Sequence, residues 1–159
     1  MTHVPHPVAT GSEGRFAPPI KVACAPDLMP ARLQRTRVRH NFTPAGATYV
    51  GRPTLYSNPF ERRRRIGHKR SVILYEAWVL GRLSPYILSR CGFGRDEIAS
   101  LYRWRQRLLR SLPGLRGRDL QCWCPLTSEW CHANVLLRLV NDPFALARLL
   151  ASEVLRLAA

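Results

Sequence analysis

Four side chains that can bind a metal or attack a substrate lie within eleven positions in the last third of the chain: Cys122, Cys124, Cys131 and His132. Three thiols and one imidazole match, in number and type, the ligands of a structural zinc ion. The spacing is less typical. A Cys-x-Cys pair lacks the usual zinc knuckle, and the adjacent side chains of Cys131 and His132 are expected to diverge. Zinc is therefore one of several interpretations of this cluster.

Two other interpretations stay open. Cys131 could be a catalytic thiolate, with His132 as its base or as a donor to phosphate, because the positive end of a helix lowers the pKa of a thiol. Alternatively, the cysteines are small buried apolar residues, as free cysteines often are. A disulfide is rejected, because the chain is expected to be cytoplasmic and disulfides are rare there.

The elements that must position these residues are short strands and longer helices. Apolar spacing and turn residues predict strands over 48–50 and 120–124, and helices over 69–83, 96–112, 132–140 and from 143 onward. Asp142 followed by Pro143 is typical of a helix start. Alternation along the second strand places Cys122 and Cys124 on one face and Trp123 in the core. Helices alternating with a few short strands predict a small single α/β domain.

The composition divides the chain into three parts. Residues 1–28 are rich in proline and carry balanced charges, which predicts a disordered extension. Residues 29–140 are expected to form the α/β domain, and residues 141–159 a C-terminal helix packed on it. No run of about 20 apolar residues and no secretory signal is present, so we expect a cytoplasmic protein with no membrane contact.

Positive charge is concentrated in the first part of the expected domain. The formal net charge is +15, and residues 29–70 hold eleven cations and one anion. Such an excess favours a polyanionic partner. The consecutive residues Arg62, Arg63, Arg64 and Arg65, with Arg32, Arg35, Arg37 and Arg39, could span several phosphates. A zinc-stabilised, non-catalytic nucleic-acid-binding module is therefore an alternative function.

A smaller phosphate site is predicted where the first strand ends. Gly51 would let the backbone approach a ligand, and Arg52 would supply a bidentate donor. Ligands of α/β sheets bind at the carboxyl ends of strands. If the two predicted strands are parallel neighbours, Gly51, Arg52 and Asn58 converge with Cys131 and His132 in one cleft. The favoured function is binding of a phosphate-bearing ligand such as a nucleotide, and a thiol-dependent enzyme is a second alternative.

Several short motifs occur in an order that resembles a known family. They are Met29-Pro-Ala-Arg-Leu-Gln-Arg35, Tyr49-Val-Gly-Arg-Pro53, Ser57-Asn-Pro-Phe60, Leu115-Arg-Gly117, Cys122-Trp-Cys-Pro125, Cys131-His132 and Val135-Leu136. Over about residues 29–140 the chain resembles the domain of unknown function 4326, found in bacteria and their phages. The resemblance brings no established reaction, and it implies that the strand–turn–helix arrangement around the cysteines is the centre of the domain.

The chain departs from the family pattern at two places. Ser57 stands where the family usually has glycine, and Ala133-Asn134 follow His132 where the family usually has Gly-Asp. If the family's aspartate is a catalytic acid or base, Asn134 removes that chemistry from this chain.

Overall fold

The sheet of this protein has three parallel strands, and its central strand is the last one in the sequence. In the computed structural model, which describes residues 29–37, 42–61 and 66–158, the order is β1-β3-β2. The strands are β1 (Arg32–Gln34), β2 (Thr48–Tyr49) and β3 (Leu120–Cys122). Gln34 lies opposite Cys122, and Tyr49 lies opposite Gln121. The condition that the two predicted strands are parallel neighbours is therefore met.

Five α-helices lie in the part of the chain that the structure describes. They are α1 (His68–Val79), α2 (Pro85–Arg90), α3 (Arg95–Ser111), α4 (His132–Asn141) and α5 (Pro143–Ala158), and a 3-10 turn over Leu112–Leu115 follows α3. The helices and the small parallel sheet make a small α/β domain, as predicted. None of the described helices is long and apolar enough to cross a membrane.

The core is formed mainly by helix residues packed around β3. Trp78 and Tyr75 of α1, Phe60 before α1, Leu120 of β3 and Leu136 of α4 are among its largest fully or almost fully buried side chains. The Phe60 and Trp78 rings meet edge to face, with centroids 6.4 Å apart. Because β3 contacts both neighbouring strands and α4, its last residue is held from three sides.

The predicted helices and strands agree with the structure apart from their ends, and Trp123 is placed differently. The strand stops at Cys122, so alternation does not continue, and the Trp123 side chain is 46% exposed rather than in the core. The Asp142 carboxylate accepts hydrogen bonds from the Phe144 and Ala145 backbone N–H groups, both at 2.9 Å, so the predicted start of α5 is confirmed.

Two elements were not predicted. Strand β1 has only three residues and no apolar alternation, since its sequence is Arg-Leu-Gln. Helix α2 lies between the helices predicted over 69–83 and 96–112, and it begins at a proline. The structure places this proline in the first turn, after Ser84, whose hydroxyl accepts from the Ile87 N–H at 3.3 Å. The predicted disordered extension over residues 1–28 lies outside the described residues.

Candidate metal centre and neighbouring cleft

Cys122, Cys124, Cys131 and His132 come together in one cluster. One ligand atom from each residue lies within 4.8 Å of all the others, and the Sγ atoms of Cys122 and Cys131 are 3.1 Å apart. Adjacent Cys131 and His132 thus contribute to the same cluster, and the expectation that they diverge is wrong. Cys131 has the extended backbone of a helix N-cap (φ −149°, ψ 132°), whereas His132 is the first residue of α4, so their side chains leave from differently oriented backbone.

The Cys-x-Cys segment has a turn that the sequence did not suggest. After β3 ends at Cys122, the backbone N–H of Cys124 donates to the Cys122 Sγ at 3.2 Å. An N–H directed at a sulfur stabilises its thiolate form, and this is the kind of contact that orients a metal ligand. The pair therefore has an N–H to sulfur contact of its own, although its spacing is not that of the usual zinc knuckle.

The His132 ring is fixed by the neighbouring strand. Its Nε2 lies 3.0 Å from the backbone oxygen of Val50, directly after β2, and the ring is buried with an edge contact to Tyr75 at 5.6 Å between centroids. When Nε2 carries the proton and donates to that oxygen, Nδ1 keeps its lone pair for a metal. Metal-ligating histidines commonly have this arrangement, in which the second nitrogen donates to a carbonyl.

The thiols shift one another's pKa values in opposite directions. Hydrogen bonds from Cys122 and Cys124, helped by nearby His132 and the Ala133 backbone N–H, lower the pKa of Cys131 to about 2 against the effect of burial. The hydrogen bond with Cys122, the one with Cys131 and burial raise the pKa of Cys124. For Cys122, the hydrogen bond from Cys124 lowers the pKa, but the bond with Cys131 and burial outweigh it and raise the pKa to about 11. The cluster therefore favours one thiolate, at Cys131.

The geometry fits a tetrahedral zinc ion. Zn–S bonds of about 2.3 Å and Zn–N bonds of about 2.0–2.1 Å place tetrahedral ligand atoms about 3.5–3.8 Å apart. The Cys122–Cys131 sulfur distance of 3.1 Å is shorter than that spacing, and the 4.8 Å limit on all pairs is longer. A divalent cation also favours the thiolate form of each coordinating cysteine. The four residues could thus hold one metal ion.

The loop that joins Cys124 to Cys131 is held by an arginine from the opposite end of the domain sequence. The Arg32 guanidinium, on β1, donates to four backbone oxygens, those of Cys124 (3.2 Å), Pro125 (2.9 Å), Leu126 (2.8 Å) and Ser128 (3.1 Å). Further along the loop, the His68 Nε2 lies 2.7 Å from the Trp130 oxygen. The structure thus gives Arg32 a role inside the protein, where the sequence suggested a phosphate contact.

The predicted ligand residues Gly51 and Asn58 both have roles within the fold. A Cβ atom on Gly51 would overlap the Tyr49 Oη, which donates to the Arg52 oxygen at 2.9 Å. The space beside Gly51 is therefore taken by Tyr49. The buried Asn58 amide accepts from the Phe60 N–H at 2.9 Å and donates to the Ser71 oxygen at 3.2 Å. A contact of Gly51 or Asn58 with a ligand stays a prediction.

Arg52 lies in the wall of a large open cleft. The cleft has a volume of about 1030 Å³ and runs between the segment after β2 and the first half of α3. Its lining residues are Arg52, Pro53, Thr54, Ser57, Pro59, Phe93, Asp96, Glu97, Ser100, Leu101 and Trp104. Of the five residues expected to share one cleft, only Arg52 lines this one. Gly51, Asn58, Cys131 and His132 lie outside its lining, although His132 contacts the backbone next to Gly51.

Sequence reasoning missed the far wall of this cleft. Asp96, Ser100 and Trp104 are spaced four residues apart on α3, a spacing that places them on one helix face. Apolar spacing predicts the helix over 96–112, but nothing in the sequence indicates that Asp96 and Arg52 line the same cleft. The predicted nucleic-acid residues Arg62, Arg63, Arg64 and Arg65 lie outside the described residues.

The match to a known family covers the chain from β1 to the end of α4 and leaves α5 outside. The family model described as "Domain of unknown function (DUF4326)" matches residues 33–142, from β1 to the end of α4. No curated protein and no solved structure matches the chain. The matched range contains the Cys/His cluster and the segment around Arg52, and it covers more than half of the sequence. The chain therefore belongs to the DUF4326 family, which confirms the resemblance seen in its motifs.

Proposed function

We propose that this protein is a zinc-stabilised binding domain, in which Cys122, Cys124, Cys131 and His132 hold one Zn²⁺ ion. The observation that carries the proposal is the convergence of four suitable ligand atoms within 4.8 Å, with the histidine Nε2 fixed on a backbone oxygen. The ion would join the end of β3 to the start of α4. Because metal binding and folding are coupled in small domains, the zinc would stabilise the fold directly.

A structural role for the ion is favoured over a catalytic one. Four protein ligands close a tetrahedral site, whereas catalytic zinc sites keep a position open for water or substrate. Cys131 is 1% exposed and His132 is 7% exposed, so neither meets a substrate from solvent. The same burial argues against Cys131 as a nucleophile with His132 as its base. Cys124 is the half-buried member of the cluster.

Metal analysis of the purified protein tests the zinc proposal. We expect one zinc per chain by mass spectrometry after purification without chelators, and Co²⁺ substitution should give the absorption of a tetrahedral thiolate site. Cys131→Ser should lower the zinc content severalfold. Cys91→Ser is the matched control, because Cys91 is a free, half-buried thiol outside the cluster. A metal-free wild-type protein that remains folded would contradict the proposal.

The ligand of this domain is proposed to carry a phosphate group and to bind beside Arg52. Two features support this. Arg52 follows β2, at the carboxyl end of a parallel strand, where ligands of α/β sheets bind. Its guanidinium is anchored, since it donates to the Asn58 oxygen at 2.9 Å and lies 3.6 Å from the Glu61 carboxylate. In a thermal-shift assay, at least one phosphate compound should raise the melting temperature of the wild type more than that of the Arg52→Lys variant.

Nucleic-acid binding is the alternative function, and it rests on the excess of cations over residues 29–70. Arg32 weakens that basis, because its guanidinium is bound to loop oxygens. Arg62 to Arg65 carry what remains of the alternative. Replacing these four by glutamine should reduce the slope of log affinity against log salt by about 3–4 for single- or double-stranded DNA. An unchanged slope would exclude this run as a phosphate-binding surface.

A further inference from the structure

The cleft beside Arg52 has walls of opposite charge. Arg52 lies on the wall that follows β2, and the wall formed by α3 carries the carboxylates of Asp96 and Glu97. A continuous phosphate backbone would be attracted to the first wall and repelled by the second. A small ligand with one anionic end and one neutral hydroxyl-bearing part fits both walls.

The two carboxylates have different uses. Glu97 closes the N-terminus of α3, because its Oε2 accepts from the Gly94 N–H at 2.8 Å. Asp96 is exposed and has no partner among the described residues. A carboxylate is an acceptor only, and it pairs well with the two adjacent hydroxyls of a sugar. Asp96 is therefore an exposed carboxylate in the cleft that can accept hydrogen bonds from a ligand.

An ordered aromatic side chain completes the lining. The Trp104 indole N–H donates to the Leu55 oxygen at 2.6 Å, and its ring meets Trp78 edge to face at 5.7 Å. The ring is thus fixed before a ligand arrives and lines the cleft as a flat apolar surface. Planar heterocycles stack on such surfaces, with about 1–3 kcal/mol per base in nucleic-acid complexes.

The opposite wall holds one buried polar atom that a ligand does not reach directly. The Oγ1 of Thr54 has no hydrogen-bond partner among the described residues, and Thr54 lines the cleft. Because this oxygen is closed off from solvent, it plays no part in the inference. The volume of about 1030 Å³ lies at the upper end of the range for small-molecule sites.

We propose that this cleft binds a free ribonucleoside phosphate, with the phosphate at Arg52, the ribose hydroxyls at Asp96 and the base against Trp104. This inference rests on the proposed phosphate-bearing ligand and adds its class. The acidic wall selects a single nucleotide over a nucleic-acid chain. The Cys/His cluster takes no part in the binding, because none of its residues lines the cleft.

The test is calorimetric titration of the zinc-loaded full chain with the four ribonucleoside 5′-monophosphates, their 2′,3′-dideoxy forms and ribose 5-phosphate. At least one ribonucleotide should bind more tightly than its dideoxy form. Asp96→Asn should weaken that ribonucleotide about tenfold and leave the dideoxy form unchanged, as expected for hydrogen bonds to a charged acceptor. Glu129→Gln is the control, because it removes the same charge from an exposed site outside the cleft lining.

Arg52 variants separate the two proposals. Arg52→Ala should weaken every phosphate ligand at least tenfold, while Arg110→Ala, which removes an exposed arginine outside the cleft lining, should not. Arg52→Lys is a second, more conservative variant, because it keeps the positive charge. The zinc content of each variant shows whether it is folded. If phosphate binding depends on Arg52 but Asp96→Asn leaves the ribose preference unchanged, the nucleotide inference is wrong and the phosphate site stands. Tighter binding of oligo(dT) or of an amino acid than of any ribonucleotide also overturns the nucleotide inference. Phosphate binding that does not depend on Arg52 overturns both the nucleotide inference and the proposed phosphate site.

Discussion

Replacing Arg32 by glutamine distinguishes a structural from a phosphate-binding role for this residue. In the structure its guanidinium makes four hydrogen bonds of 2.8–3.2 Å to the loop between Cys124 and Cys131. Hydrogen bonds from a charged donor contribute about 1.5–3 kcal/mol each, but two of these four are exposed and all share one group. We therefore expect Arg32→Gln to lower the free energy of unfolding by about 2–4 kcal/mol.

The same change should weaken zinc binding, because the loop carries two ligands at its ends. Loss of groups that orient metal ligands typically reduces affinity by about 10–100-fold. Urea denaturation measures the stability, and competition with a chromophoric chelator measures the zinc affinity. Arg37→Gln is the matched control, since Arg37 is an exposed arginine of the same segment without a partner among the described residues. Arg32→Lys should behave more like the glutamine variant than like wild type, because an ammonium cannot reach four carbonyls at once.

One outcome would refute this reasoning. If Arg32→Gln and Arg37→Gln have the same urea midpoint and the same zinc affinity, the loop does not depend on the guanidinium. If both variants then lose DNA affinity equally, the original interpretation of these arginines as phosphate contacts is correct.

Three further changes have expected costs that urea denaturation can measure. The Arg105 guanidinium is 3% exposed and lies 2.6 Å from the Glu153 carboxylate, so Glu153→Gln leaves a buried charge without its partner. This change should lower the free energy of unfolding by about 3–5 kcal/mol. Adding Arg105→Met to the Glu153→Gln variant should recover part of that loss. Gly51→Ala should cost about 1–3 kcal/mol by displacing Tyr49, and a Tyr49→Ala background should remove that cost. Asp142→Ala should lower the free energy of unfolding by about 1 kcal/mol, because it removes the N-cap acceptor of α5. Asp142→Asn keeps an acceptor oxygen and should cost much less. Equal losses in the two variants would show that the cap is not the cause.

The sequence was sufficient for the main elements and for the members of the cluster. Apolar periodicity located four of the helices, and the β-prone runs located β2 and β3, because these signals depend on local spacing alone. The cysteines and the histidine were identified from their types. Their geometry was misjudged, because the N-cap conformation of Cys131 and the turn after Cys122 are set by neighbouring elements and not by ligand spacing.

Contacts between distant segments could not be predicted. Arg32 lies 92 residues before the first loop oxygen that it binds, and Arg105 lies 48 residues before Glu153. Arginine is usually exposed in folded proteins, so the sequence alone favours a surface position for both residues. Only the structure shows that Arg32 donates to loop oxygens and that Arg105 donates to the Glu153 carboxylate. The cleft was missed for the same reason, since its two walls belong to segments about 40 residues apart.

These contacts also change how the family motifs are interpreted. Gly51 makes room for Tyr49, Asn58 closes the turn before Phe60, and the His132 ring binds the backbone after β2. Each of these motif residues satisfies another part of the same fold, so most of the pattern describes how the sheet, the turn and the cluster brace one another. Arg52 also has partners within the fold, since its guanidinium donates to the Asn58 oxygen and its backbone oxygen accepts from Tyr49, but it lines the cleft as well. In the proposed function, the choice of ligand therefore comes from Arg52 and from the α3 wall across from it.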